Sequence, residues 1–535
     1  MIDFELGGGM SAASAADTLG RIQNGHGNSI GHGNMRQLAK ALRGGRNHGA
    51  VMKALAKSGS VGYPTQAQAA TSGSGSELAP LVPQSINPTL VSDTLEQADV
   101  RFYGMVPKET VYGTIHEYVN VKQGGYNDDV HGFFAEGGAP AVSSTTYEKD
   151  INHLKFVGDK WQISDVARTV TGIGFGGMAP RSLLNTETES SVIRLSAKIE
   201  RDLFWADQDL FGGSATGSLA WNGLYRQTVG DGIAAGSFYT AGLPYDKTNG
   251  NNYQDMRGVE LDHSTLIDRA FKMSGSPTFA KPNVLMVGPA TYGKFVQQAL
   301  AFQRVDGAKP RDGFQFGPTG DLHFAGPRGP VRVMMLPLLP HNNVARATAS
   351  SSDAPTIAAV TALGTSPAGS SASRWAAGDA GDYIYRIVPV GDKGAGALKD
   401  VAATGVVAGD AVNINIQDAG IQGSGAGNVR YYEVYRSEKD GAADTAQFLF
   451  RYPTNTSGTA SGTLIVDENK HLPGTAPAYL MEFNKQTLYC PELLPMTRRP
   501  LPSTDTTANM LTMTFMSLLV RRANKIFVFD NCQEL

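Results

Sequence analysis

A long polar ribbon of strand-like sequence leads this chain into one long amphipathic helix, and that order constrains the fold more than anything else in it. From about Val111 to Trp161 the residues read as two alternating strands around a Gly-rich polar middle, KQGGYNDDVHGFFAEGGAPAVSS. An isolated two-stranded hairpin is marginally stable in water. A protein that keeps a long one lays it on a neighbour. After the Gly-rich linker RTVTGIGFGGMAPRS comes LLNTETESSVIRLSAKIERDLFWADQDLFGG. Here Val192, Leu195, Ile199, Leu203, Ala206 and Leu210 recur at spacings of three and four, which makes one apolar stripe. Thr186 with Glu189 fits a capping box, and Gly212 and Gly213 supply a stop. The helix is therefore expected over about Thr186 to Phe211.

Composition sets outer limits. Hydrophobic residues are 41% and charged residues 18% of the 535 positions, a globular balance low in charge. Gly at 63 positions exceeds the usual ~7% and points to many turns and extended segments. A net charge of −3 gives no bulk argument for nucleic-acid binding. Cys490 and Cys532 read as reduced, buried thiols rather than a disulfide framework. No apolar run reaches the 18 residues of a membrane span, and the N-terminus carries acids where a signal peptide needs bases. The expectation is a soluble protein made in a cytoplasm.

Along the chain, residues 1–86 are Gly/Ser/Ala-rich and lack the apolar periodicity that offsets ordering entropy. Within them, MRQLAKALRGGRNHGAVMKALAK holds two short helical bursts, basic through Arg36, Lys40, Arg43, Arg46, Lys53 and Lys57. This reads either as an arm that contacts a partner or an acidic surface, or as a solvated helical face. Ordinary globular patterning begins at Asn87, with a short helix from Asp93 to Ala98. Residues 214–255 read as loop, Asp262–Met273 as an amphipathic helix, Val284–Val287 as a buried strand, Ala290–Leu300 as a helix and Val331–Met335 as a strand. After a Ser/Ala/Thr linker, Asp382 to Val466 is purely β, with short alternating strands split by turns. That suggests a small sandwich of immunoglobulin or fibronectin type III character. The C-terminal LTMTFMSLLVRRANKIFVFDN supplies two further β-like runs.

Motifs that suggest chemistry fail on context. GIGFGG neither follows a buried strand nor opens a helix, as a dinucleotide loop must. His26 and His32 lack Cys or carboxylate partners for a metal. His116 with Glu117 lacks the second His of a zinc protease, and Asp128 with Asp129 lacks calcium-loop spacing. NVLMVGP ends a strand before a helix, yet its turn carries no acid, Ser or Cys. Tyr431, Tyr432 and Tyr435 alternate, so one set is expected in the core and the other offers at best a surface face. No catalytic residue, cofactor site or metal site is assigned, and the chain is expected not to be an enzyme.

The order of loose N-terminal arm, long hairpin, capped helix, α/β unit, inserted β-domain and C-terminal strands resembles the major capsid protein of tailed bacteriophages, the Hong Kong 97-type fold. The resemblance covers about Asn87 to Asn343 and Tyr479 to Leu535. It implies an α+β fold with residues 1–86 as N-arm, 87–343 and 478–535 as capsid core, and 344–477 as an inserted immunoglobulin-like β-domain. By the family pattern, 111–161 is the extended E-loop, 186–211 the spine helix and 262–340 the axial domain. The implied function is self-assembly into an icosahedral head around double-stranded DNA. The implied partners are copies of the chain in hexamers and pentamers, a portal, cement or scaffolding proteins, and packaged DNA on the inner surface, with no membrane. The location is the virion capsid, after synthesis in the host bacterial cytoplasm. Residues placed for inter-subunit contact are Tyr118, Lys122, Tyr126, Asp128, Asp129, Phe133, Phe134 and Glu136 on the hairpin, with Arg36, Lys40 and Arg43 on the arm. No Lys–Asn crosslinking pair can be assigned among Lys122, Lys149, Lys155 and Lys160. The alternative is a glycan-binding or decoration protein of a virion that acts through the sandwich.

Overall fold

The computed structural model describes residues 96–123, 133–139, 146–166, 183–211, 219–229, 253–257, 260–275, 278–300, 322–341, 355, 359–366, 370, 373–391, 394–417, 429–453, 463–502 and 506–534, together with a pairing of Glu5–Leu6 with Met10–Ser11. The chain divides into Met1–Thr89, where only that pairing is described, and Leu90–Leu535, which holds everything below. The expected basic helices of the arm, and Arg36, Lys40 and Arg43 with them, lie outside the described residues.

In chain order the larger unit contains strands β1 (Ile115–Gln123), β2 (Thr146–His153) and β3 (Lys155–Ser164), then helices α1 (Leu183–Trp205) and α2 (Leu224–Val229). Next come β4 (Tyr253–Asp255), α3 (His263–Ser274), β5 (Val284–Val287), α4 (Pro289–Leu300), β6 (His323–Gly326) and β7 (Gly329–Met335). The β-rich stretch holds β8 (Ala359–Ser366), β9 (Gly381–Gly391), β10 (Lys399–Val406), β11 (Ala411–Gln417), β12 (Tyr431–Arg436), β13 (Gln447–Pro453) and β14 (Thr463–Asp467). The chain closes with β15 (Thr475–Met481), β16 (Leu488–Leu501), β17 (Thr507–Met516) and β18 (Ile526–Gln533).

A six-stranded mixed sheet, ordered β4-β18-β15-β5-β7-β6, forms the centre. Its inner strands are apolar at consecutive positions because both faces are covered. In β5, Leu285 and Val287 point into a core with Leu266, Ala270 and Met273 of α3 and Phe295 of α4. Val284 and Met286 point the other way, into a core with Leu195, Ile199, Leu203 and Phe204 of α1. β15 and β18 alternate in the same manner, with Leu480 and Phe527 on the first side and Tyr479 and Val528 on the second. The expected stripe of α1 is thus real, since Leu195, Ile199 and Leu203 are fully buried.

Near its N-terminus α1 meets a second sheet, β16-β17-β3, to which Lys108–Thr110 and Leu519–Val520 add on β16. Ser191 Oγ lies 3.1 Å from Asp159 Oδ2 and 2.9 Å from Thr512 Oγ1, within hydrogen-bond reach of both. Arg194 pairs with Asp159 at 3.2 Å. One helix of 23 residues, about 35 Å long at 1.5 Å per residue, therefore joins two sheets.

Several expectations need correction. The helix begins at Leu183, so Thr186 lies inside it and does not cap it with Glu189. It ends at Trp205, well before Gly212. The stop is tertiary: Gly223 N–H donates to Ala206 O at 2.6 Å, and Asn222 Oδ1 accepts Gln208 N–H at 3.1 Å, which turns the chain into the 3-10 segment Gln208–Phe211. The ribbon is shorter than Val111–Trp161, because β3 leaves it to pair with β17, and Trp161 is buried there. Residues 214–255 are not all loop; α2 forms because Leu224 and Val229 reach the α1 core, and β4 pairs with β18. The expected Asp93–Ala98 helix is described only as a 3-10 turn, Gln97–Asp99. The expectation for α3 holds, with Asp262 accepting from Thr265 N–H at 2.8 Å as its N-cap. Cys490 and Cys532 are free, buried thiols.

Between β7 and β15 the chain builds two further sheets, β8-β11-β14 and one of β9, β12 and β13 with β10 and Gly394–Ala395 attached. Residues of both share one core that contains Tyr385, Ile387, Ile414, Tyr432, Val434 and Ile465. Tyr431, Tyr432 and Tyr435 are all buried, so no tyrosine face is left for a ligand. Tyr432 fills this core, Tyr435 a satellite cluster with Phe448, and Tyr431 lies under the Arg451 guanidinium. A buried pair, Arg436 to Asp467 at 2.7 Å, is completed by Tyr385 OH at 2.8 Å and Asn469 at 2.8 Å.

Two predictions concern α1. A Cβ on Gly223 would stand 2.6 Å from Phe204 O and 2.8 Å from Ala206 N, both backbone atoms. Gly223→Ala should therefore cost about 1–3 kcal/mol, read as a lowered denaturation midpoint at unchanged m. Glu200 is fully buried on α1 and accepts Tyr103 N–H at 3.2 Å. Burial raises its pKa, and backbone N–H groups of Tyr103, Arg101 and Phe102 offset only part of that. A raised carboxyl contributes stability that is complete below its unfolded pKa and is lost as pH rises through its folded value. The Tm of wild type relative to Glu200→Gln should therefore fall between acidic and neutral pH; a constant difference would refute this.

Candidate assembly surface

Among the described residues, β1 and β2 form a two-stranded sheet joined to no other strand. Their register, Ile115↔His153 through Val121↔Tyr147, sorts the side chains into two faces with opposite environments. One face is anchored to the chain's own body. His116 Nε2 lies 2.8 Å from Tyr489 OH. Asn152 Nδ2 donates to Leu518 O at 3.3 Å, and Ser517 Oγ donates to Asn152 Oδ1 at 3.0 Å. Arg521 donates to Val119 O at 3.0 Å and rests over the half-buried Tyr118 ring, 5.9 Å from its centroid.

The opposite face looks away from the body. Ile115 is 54%, Val119 53%, Tyr147 68% and Ile151 55% exposed. The polar pair on it, Lys149 to Glu117 at 2.5 Å, is itself more than half exposed and so contributes only ~0–1 kcal/mol. Scattered apolar residues are normal on a surface. Four on one face of a strand pair are different, because among the described residues no layer covers that face and no third strand extends the ribbon. Beyond the strands, Phe133 is 96% and Phe134 60% exposed, carried beside a turn closed by Gly138 N–H to Ala135 O at 2.9 Å. Gly137 in that turn has φ +81, a conformation that favours glycine. On the neighbouring sheet, Phe156 is also largely exposed and stacks edge-on against Phe515 at 4.5 Å.

The structure thus brings Tyr118 to the anchored face and leaves Phe133, Phe134 and Glu136 exposed. Lys122 falls in β1, while Tyr126, Asp128 and Asp129 lie outside the described residues. Sequence reading missed Ile115, Val119, Tyr147 and Ile151, although the alternation of ETVYGTIHEYVNV carries half of that signal. It could not find Arg521 or Tyr489, which lie hundreds of positions away.

Elsewhere the chemistry is structural. A cavity of about 70 Å3 lies where Trp205, Tyr225, His341, His471 and Asp530 converge. Its Asp530 carboxylate is taken up by the Tyr225 and Tyr253 hydroxyls, each at 2.9 Å. At the Gly-Pro turn before α4 an acid does appear, from the far end of the chain. Glu534 accepts Ala290 N–H at 2.9 Å and Thr291 Oγ1 at 2.6 Å, and so caps the helix. Among the described residues no group of His, Cys, Asp and Glu side chains is arranged to hold a metal.

No protein-family model matches the chain, and no curated protein matches it. It resembles solved structures of phage capsids and related shells. The capsid of a native GTA particle is 10% identical, with 88% of this chain and 99% of that chain covered at a TM-score of 0.40. The mature capsid of bacteriophage PhiM1 is 12% identical, with 87% and 98% covered at 0.35. The holo-SrpI encapsulin complex from Synechococcus elongatus is 9% identical, with 83% and 93% covered at 0.37. Likeness at this level carries no argument about function, which rests on the ribbon's own geometry.

Arg521 tests how the ribbon root is held. Arg521→Ala should raise amide exchange across Ile115–Gln123 and Thr146–His153 about tenfold, the loss of ~1.4 kcal/mol expected for a charge-assisted hydrogen bond. Exchange in β5 and β15 should not change.

Proposed function

We propose that the chain is a shell subunit that self-assembles into a closed particle, with the outer face of its ribbon covered by a neighbouring copy. The observation that carries this reading is the two-faced ribbon: polar bonds hold one face to the body, while Ile115, Val119, Tyr147 and Ile151 stand unburied on the other. Burying those side chains is worth ~25 cal/mol per Å2 of apolar area, and repetition around a closed ring gives every copy the same gain.

In its finer form the reading is a major capsid protein of a tailed phage, assembled as hexamers and pentamers around double-stranded DNA. The ribbon then plays the E-loop, α1 the spine helix, and the unit around the six-stranded sheet the axial domain. Residues 1–86 are the N-arm. Residues 344–477 are an inserted β-domain, and chain geometry supports that reading. The chain leaves the central sheet at the C-terminal end of β7 and re-enters at the N-terminal start of β15, with only β5 between them. At ~4.8 Å per strand the two junctions are about 10 Å apart, close enough to insert a folded unit without parting the sheet. The alternative of glycan recognition by a tyrosine face loses its residues to the core.

Electron microscopy and mass photometry of the purified chain test the proposal. Closed particles or capsomers are expected, and a chain that stays monomeric at high concentration would overturn it. The double variant Val119→Glu/Ile151→Glu should abolish particles yet keep the wild-type Tm of the subunit, because neither side chain is buried within it.

A further inference from the structure

One end of the six-stranded sheet gathers cations. Val284, Met481 and Ile526 stand side by side in register, and the chain just beyond them forms a rim. Backbone and side-chain bonds fix its shape. Asn283 N–H donates to Met481 O at 3.0 Å, Phe483 N–H to Asn283 Oδ1 at 2.7 Å, Lys281 N–H to Glu482 Oε2 at 3.0 Å and Glu482 N–H to Lys525 O at 3.1 Å.

Onto this rim come Lys281 from before β5, Lys485 from after β15, and Arg522 and Lys525 from before β18. Arg328 arrives on the β6–β7 hairpin, where Gly326 pairs with Gly329. Lys281, Arg328 and Arg522 are exposed. The acids that answer them are Glu482, 3.8 Å from Lys525 Nζ, and Glu109, 3.5 Å from Lys485 Nζ. Arg522 Nη1 donates to the neutral Gln486 at 3.2 Å. Burial lowers the pKa of Lys525; Glu482 opposes this, while the charges of Arg522, Lys281 and Arg328 lower it further. These cations therefore feel one another.

Like charges brought together on a rigid rim cost free energy in the isolated subunit. A polyanion with charges at regular spacing removes that cost and releases its counterions. Beside the cations stands Phe279, 48% exposed at φ +46, whose carbonyl accepts from Lys525 Nζ. A phenylalanine at positive φ is strained, and here the strain presents a ring next to the charges. We propose that this rim binds the phosphate backbone of a nucleic acid. An acidic polypeptide is the competing ligand, but the fully buried core of a protein interface is typically more apolar than the surrounding surface. Among the described residues of the rim, Phe279 is the one large exposed hydrophobic. The shell reading says only where the nucleic acid is met; the binding is a property of the rim.

The test uses the full chain and a fluorescent DNA duplex of about 20 base pairs, titrated by anisotropy between about 50 and 200 mM salt. Lys281→Glu/Arg328→Glu/Arg522→Glu should weaken binding at least about tenfold and flatten the log–log salt dependence by about 2–3, since each lost phosphate contact removes ~0.9. The corresponding Gln variant should move the same way by less, and it carries the comparison if the Glu variant unfolds. Wild-type affinity and slope in the Gln variant would overturn the proposal by placing the duplex elsewhere. So would displacement of the duplex by polyglutamate as effectively as by unlabelled DNA at equal charge. Particle formation, read separately by microscopy, distinguishes failure of this site from failure of the shell reading.

Discussion

The buried stripe of α1 is the contact on which the rest of the subunit depends. Leu195, Ile199, Leu203 and Phe204 close one face of the central sheet, while Ser191 and Arg194 on the same helix bind the β3–β17 sheet through Asp159 and Thr512. Two sheets with separate strand networks become one body because one rigid rod is shared between them. The rod also receives the N-terminal entry of the described chain, through Phe102 stacked on Phe204 at 4.5 Å and Glu200 under Tyr103. A helix that must serve three neighbours at once tolerates little rotation. Its end is accordingly set by tertiary contact at Asn222 and Gly223 and not by a local stop signal.

The ribbon obeys the opposite logic. Its bonds to the body are polar, few and confined to one face, and its apolar side chains find no partner within the described residues of the subunit. Such an element is stable only in company. Arg521 and Tyr489 hold its root to the body, and among the described residues neither of the larger sheets adds a strand to it.

The β-rich unit between β7 and β15 is held firmly to the core. Arg374 reaches Asp255 at 2.6 Å, Arg257 reaches the Arg374 carbonyl at 2.8 Å, and the His341 ring lies flat on Phe448 at 3.6 Å. Its interior pair, Arg436 with Asp467, is buried on both sides, so loss of either partner strands a charge. Of the three tyrosines of β12, alternation places one set in the core and the other at best on a surface face, yet all are buried: Tyr432 in the main core, Tyr435 in the satellite cluster and Tyr431 under Arg451.

Periodicity by itself located α1, α3, α4, β5 and the β-rich stretch, because each buries a face along its own axis and must repeat its apolar residues at the period of that element. The ribbon was also legible, since alternating strands around a polar Gly-rich middle have no core of their own. Other features depended on residues far apart in the chain. Trp161 belongs to the β17 sheet and not to the ribbon, and Glu534 caps a helix that begins at Pro289. Arg521 and Tyr489 hold the root of β1, and cations from four separate segments meet on one rim. No local pattern records such meetings, because the free energy that fixes them comes from contacts made only after the sheets have assembled. Sequence alone thus determined the longer helices and strands that repeat an apolar face, and that the ribbon has no core of its own; tertiary structure decided the short elements α2 and β4, the ends of α1 and which ribbon face stays exposed, because those follow from contacts between distant segments.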